Sequence, residues 1–146
     1  MSATQRPNDE EPKPEGRPSS EEPKERPGGT RAAQRSDLGE RTARFGEAVI
    51  AFAKRVNGGP ISAPLINQLV RAATSIGADY CEADDAESRK VFRLKIATCR
   101  KESKETKHWL RMIVAAQANL RDAARPLWRE AKELNLIFST IFRKMQ

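Results

Sequence analysis

Apolar residues recur along this chain at steps of three and four, the spacing that lines side chains along one stripe of an α-helix. The clearest stripe is Phe92, Ile96, Cys99, Ser103, Thr106, Leu110 and Ile113. It predicts a long central helix from about Ser88 to Gln117, capped by Asp84 or Asp85 and followed by a weak break at Ala118-Asn119-Leu120. Upstream, Leu38, Phe45, Val49, Phe52 and Val56 predict a helix that Ser36 or Asp37 would cap. Asn57-Gly58-Gly59-Pro60 should stop it, since these residues favour left-handed backbone and the proline lacks an N–H.

Leu65, Leu69, Ala72, Ile76, Tyr80 and Ala83 predict a second helix, with Ser62 as cap and Pro64 in its first turn. Ile66, Val70, Ala73 and Gly77 widen its apolar face, so it needs two neighbours or another subunit. Gly77 costs about 1 kcal/mol relative to alanine in mid-helix, which points to a second backbone passing close by or to a bend. A last helix carries Leu127, Ala131, Leu134, Phe138, Ile141 and Met145, with Pro126 near its start and Trp128, Ile137 and Phe142 broadening its face. Four such helices with short connections and no strand pattern make an all-α, antiparallel up-and-down four-helix bundle spanning 36–146.

Composition sets residues 1–35 apart. This segment has six of the nine prolines and no Leu, Ile, Val or aromatic residue, so it reads as a disordered tail unable to bury a core. Its seven basic and seven acidic residues cancel, which leaves the net charge of +7 on the bundle. The central helix supplies that surplus, because Arg89 to Arg111 holds nine basic residues against Glu102 and Glu105. A folded surface with this excess attracts polyanions, although a lysine-rich helix face also serves solubility alone.

Cys81 and Cys99 follow no apolar leader, so free thiols in a cytoplasmic, reducing setting are expected, both as small core residues. With one histidine, His108, and no cysteine pair at ligand spacing, no metal site or cofactor is expected. Nor is any stretch apolar and long enough to cross a membrane.

LINQLVRAATSIGADYCEA (Leu65 to Ala83) and FRLKIATCRKESKETKHWL (Phe92 to Leu110) resemble two runs of a known family. It is the bacterial four-helix bundle proteins found as reading frames in intervening sequences of 23S ribosomal RNA genes. The likeness lies in Arg71-Ala72-Ala73-x-Ser75-Ile76 and in Glu102-x-x-Glu105-Thr106-x-x-Trp109-Leu110, and extends from Asp37 to about Lys144. Gly77 stands where many members have proline, Asp79 where asparagine is usual, and Ser103 where alanine is frequent. The resemblance implies an antiparallel bundle that assembles into a homopentamer, and it implies no particular activity. A related branch, the accessory proteins of diversity-generating retroelements, implies binding to nucleic acid and to a reverse transcriptase.

Two groups of residues invite a functional reading. Arg93, Arg100, Lys104, Lys107 and Arg111 share one helix face, and Arg89 extends it by a turn. Contact with RNA or DNA phosphates through this row would release counterions and make binding salt-dependent. The same row could instead dock an acidic partner protein, such as a reverse transcriptase, or simply face water. Arg71, Asp79 and Glu82, with Ser75 between them, fall on one side of the second helix and face Glu102 and Glu105. Such carboxylates suit either acid–base chemistry or an ion-paired network that fixes helix register. No nucleophile, metal-ligand set or phosphate-binding loop accompanies them, so the network is the preferred reading and the chain reads as a non-enzymatic binding protein. Trp109 reads as a core or interface anchor and His108 as exposed.

Overall fold

The computed structural model describes the backbone of residues 31–146 and the side chains of residues 37–146. Four helices follow in order: α1 (Arg31–Ala53), α2 (Ser62–Asp84), α3 (Arg89–Ala116) and α4 (Arg121–Lys144), with a 3-10 turn at Ala118–Leu120. The described residues contain no strand, and the fold class is the predicted all-α bundle. The expectation of a disordered tail falls mostly on residues 1–30, outside the described residues.

Side-chain pairs fix the direction of each helix. Lys95 near the start of α3 pairs with Glu82 near the end of α2. Gln117, just past α3, reaches back to the α1–α2 connection, donating to Asn57 O at 2.7 Å and to Ser62 Oγ at 3.0 Å. Along the α3–α4 pair, Arg93 lies over Phe142 and Lys107 over Trp128, so rising numbers on one helix meet falling numbers on the other. This is the antiparallel up-and-down order, with α1 and α4 the least closely packed of the neighbouring pairs.

The stripes predicted from spacing form the core. Val49, Leu69, Ile76, Ile96, Cys99, Leu110, Ile113, Leu134 and Phe138 are fully buried, and the Tyr80 ring leans on Phe138 at 6.0 Å between centroids. The polar members of the α3 seam do not interrupt it. Ser103 donates to Cys99 O and Thr106 to Glu102 O, each at 2.8 Å, so both hydroxyls are satisfied one turn back within their own helix. Glycine explains where α1 and α2 approach. A Cβ on Gly77 would lie 3.4 Å from Thr42 Oγ1 and 3.6 Å from the Thr42 carbonyl, so the close second backbone expected at this position is α1.

Helix boundaries depart from expectation in instructive ways. Ser36 and Asp37 lie inside α1, which begins at Arg31, and are not its cap. Ser88, and neither Asp84 nor Asp85, caps α3; its Oγ accepts from Val91 N–H at 3.1 Å, and its extended backbone suits that role. Asp85 instead ends α2. Ser62 is the first residue of α2 and not its cap, a position that Ile61 takes with no side-chain capping bond, and the Ser62 hydroxyl accepts from Gln117 instead. The turn after α3 falls at Ala118–Leu120 as expected, while α4 starts at Arg121 and leaves Pro126 inside the helix. Cys99 is buried as predicted, but Cys81 is exposed, one step off the stripe of Tyr80 and Ala83.

Candidate functional site

α3 turns two charged faces to its neighbours, one toward α2 and one toward α4. The face toward α2 carries the predicted polar network. Arg71 Nη1 lies 3.7 Å from Glu102 Oε2, and Arg71 Nη2 lies 3.7 Å from Glu105 Oε1. Arg71 keeps its nearer hydrogen bonds for Gln68, one turn back on α2. Glu82 pairs separately with Lys95, so Arg71 with Glu102 and Glu105 forms one group and Glu82 with Lys95 another, and Asp79 feels the charges of Glu82, Lys95 and Lys101. Burial, then the Glu82 charge, pushes the Asp79 carboxyl above its ordinary value, against Lys95 and Lys101.

Glu102 is the unusual member. It is only 7% exposed and its Oε1 meets no donor. Burial first, then the neighbouring Glu105 carboxyl, raises its pKa, with Arg71 opposing. Close by, burial pushes the Cys99 thiol up to about 12, so this cysteine is an inert core group. Neither the cleft between α1 and α4 nor the groove between α3 and α4 is lined by these carboxylates. Among the described residues no group of three or more His, Cys, Asp or Glu side chains is placed to hold a metal ion.

The face toward α4 divides the predicted basic row. Arg89 is exposed at the start of α3. Arg93 and Arg100 lay their guanidinium groups over the Phe142 ring, 3.9 and 4.3 Å from its centroid, and are half-buried. Stacking holds their charge at the helix junction and makes part of the row a packing device. Lys104, Lys107 and Arg111 continue the row into a groove of about 700 Å³ between α3 and α4.

From α4 that groove receives Arg121, Arg125 and Trp128. Sequence reading missed the two arginines and left Trp128 as a core residue, yet Arg121, Arg125, Trp128 and Lys132 step by four, three and four. The spacing of that row was legible along α4, where the strong apolar stripe masked it, but only the fold brings it opposite Lys104, Lys107 and Arg111. Leu110, Val114 and Ala124 form the apolar floor, His108 sits at the edge, and no carboxylate lines the cavity. Asp122 reaches Arg125 at 3.4 Å from an otherwise exposed position. Burial, then the charges of Lys132 and Lys104, lowers the pKa of Lys107. Crowding of like charge around a concave, partly apolar surface favours an anion there.

Comparison with known proteins comes to the same fold. A family model described as 23S rRNA-intervening sequence protein matches residues 40–139. A crystal structure from Bacteroides thetaiotaomicron VPI-5482, described as a protein with unknown function from the S23 ribosomal protein family, superposes with a TM-score of 0.68. It is 24% identical, and the match covers 75% of this chain and 98% of that one, a likeness of fold. No curated protein matches the chain.

Proposed function

The chain belongs to the 23S rRNA-intervening sequence protein family, and from that premise we propose that it is a non-enzymatic, homo-oligomeric bundle that binds nucleic acid in the α3–α4 groove. One observation carries the proposal: cations from two helices, Lys104, Lys107 and Arg111 facing Arg121 and Arg125, line one groove that contains no carboxylate. A row meant only for solubility has no reason to be matched across a concave surface. Arg89, Arg93 and Arg100 extend the positive field along α3.

In a homo-oligomer, a pentamer by the family resemblance, each subunit contributes one such groove and weak contacts add through avidity. The free thiols of Cys81 and Cys99 support a cytoplasmic setting. Among the described residues no helix is long and apolar enough to cross a membrane.

The test is fluorescence anisotropy with labelled RNA and DNA across a salt series. Removing one cation that touches a phosphate should flatten the logarithmic salt slope by about 0.7 for a single strand and about 0.9 for duplex DNA. Lys104→Glu, Lys107→Glu and Arg111→Glu together should reduce affinity at least tenfold, whereas Lys54→Glu with Arg55→Glu in the turn after α1 should change it little. Equal weakening in both variants would leave only diffuse attraction. Nuclease-resistant recovery of one acidic protein, a reverse transcriptase for instance, with no binding to RNA or DNA, would replace the proposal with a docking scaffold.

A further inference from the structure

The groove has more structure than a phosphate track needs. Its floor is apolar, built from Leu110, Val114 and Ala124, and it ends on the half-buried ring of Trp128. A duplex offers sugars and phosphates to such a surface and keeps the faces of its bases stacked inside, so an apolar floor between cationic rims would go unmatched. A single strand offers both parts together, a flat π-face and a charged backbone one nucleotide apart. At about 700 Å³ the cavity is also of the size that takes small organic groups, roughly 300–1,000 Å³.

We propose that the groove holds single-stranded nucleic acid, with one base stacked on Trp128 and the flanking phosphates on Lys104, Arg111 and Arg121. This deepens, and rests on, the reading of the groove as a nucleic-acid surface. The Trp128 ring carries two lysines, Lys107 Nζ at 5.0 Å and Lys132 Nζ at 5.6 Å from its centroid. Both lie near the outer limit of a useful cation–π contact, about 6 Å, on long flexible stems. A base can take the ring face while the ammonium groups move onto the adjoining phosphates. Arg125 contributes a second feature, because its guanidinium lines the groove, is 32% exposed and has only the 3.4 Å contact of Nη2 with Asp122 as an ion pair. Its outer N–H groups can donate to a phosphate oxygen in the groove. The lowered affinity of Lys107 for its proton, caused by burial, Lys132 and Lys104, is relieved by the same anion.

Tryptophan fluorescence reads this directly. The chain has two tryptophans, so the full-length Trp109→Phe variant reports on Trp128 alone. It is titrated with oligo(dT), with the same strand annealed to oligo(dA), and with inorganic polyphosphate. Oligo(dT) should quench the emission and bind more tightly than the duplex, while polyphosphate should bind without quenching. Trp128→Leu should weaken oligo(dT) binding roughly tenfold, within the range for removal of one base stack. The salt slope and polyphosphate affinity should stay as they were, and Trp128→Phe should recover most of the affinity. Unquenched emission, or a preference for the duplex, overturns the stacking proposal even should Trp128→Leu fail to fold. If oligo(dT) binding depends on Lys104, Lys107 and Arg111 but not on Trp128, stacking is wrong and the groove reading stands. If no nucleic acid binds at all, both fall together.

Discussion

Glu102 shows how one residue's environment sets its chemistry. The helical stripe of α3 buries Ser103 and Thr106 beside it, and their hydroxyls find partners within the helix. A carboxylate on the same turn has no such local solution, since the carbonyls within reach are acceptors like itself. It is left with Arg71 at 3.7 Å and the like-charged Glu105, and burial dominates the balance. Its native pKa lies above the ordinary 4.5, so the folded protein holds this proton to higher pH than the unfolded chain does. Below 4.5 both states are protonated and the group is neutral toward folding. As pH rises past that value the unfolded chain ionises first, and stability falls until the native carboxyl has ionised too. Glu102→Gln removes this penalty while keeping the shape of the side chain. In paired urea melts, the variant should match the wild type at about pH 4 and exceed it at about pH 7. An advantage that does not grow with pH would mean that the Arg71 attraction outweighs burial.

At the scale of elements, most of the fold was legible because spacing alone separates core from surface in a helix. Ile96, Leu110 and Ile113 are buried for the reason their steps suggested, and the α3–α4 turn fell where the pattern weakened. Caps were less legible, because Asp84, Asp85 and Ser88 are all competent and only the backbone shows that Ser88 has the extended geometry. Gly77 was half legible: its cost in a helix announced a close contact, but only the fold names Thr42 as that contact. A methyl group there would sit at 3.4 Å from Thr42 Oγ1, an ordinary contact, so Gly77→Ala should be neutral or stabilising by up to about 1 kcal/mol. Gly77→Leu has no room against the α1 backbone and should cost about 1–3 kcal/mol. In thermal melts Gly77→Ala should therefore unfold at or above the wild-type temperature and Gly77→Leu below it; a similar destabilisation in both would show that the α1–α2 approach tolerates no Cβ.

For the whole molecule, the site was less legible than the fold because it is shared between two helices. Lys104, Lys107 and Arg111 stood out on α3, yet nothing in a linear pattern says that Arg121 and Arg125 come to face them or that Arg93 and Arg100 stack on Phe142. Across a molecule of net charge +7, five cations gather at this junction, while α1 ties itself to α4 through Arg41, which makes paired contacts to Glu130 at 2.7 and 2.8 Å. A single groove of this size offers few phosphate contacts, so useful affinity depends on repetition. For the proposed oligomer the exposed apolar residues are the candidate contacts: Ile61 is 73%, Leu94 59% and Leu136 52% exposed, with Val91 on the same side of α3 as Leu94. Burying the remaining half of each side chain between subunits is worth roughly 1 kcal/mol. Sedimentation of the native chain should give a multiple of 16.3 kDa. Leu94→Arg should shift the mass toward 16.3 kDa with helix content unchanged, because the side chain is mostly exposed within its own subunit. Affinity for a long strand should fall with it, by tenfold or more, while affinity for a strand spanning one groove should not. A dissociated Leu94→Arg protein that still binds long strands at full strength would place all of the affinity within one subunit, and the oligomer would then need another purpose.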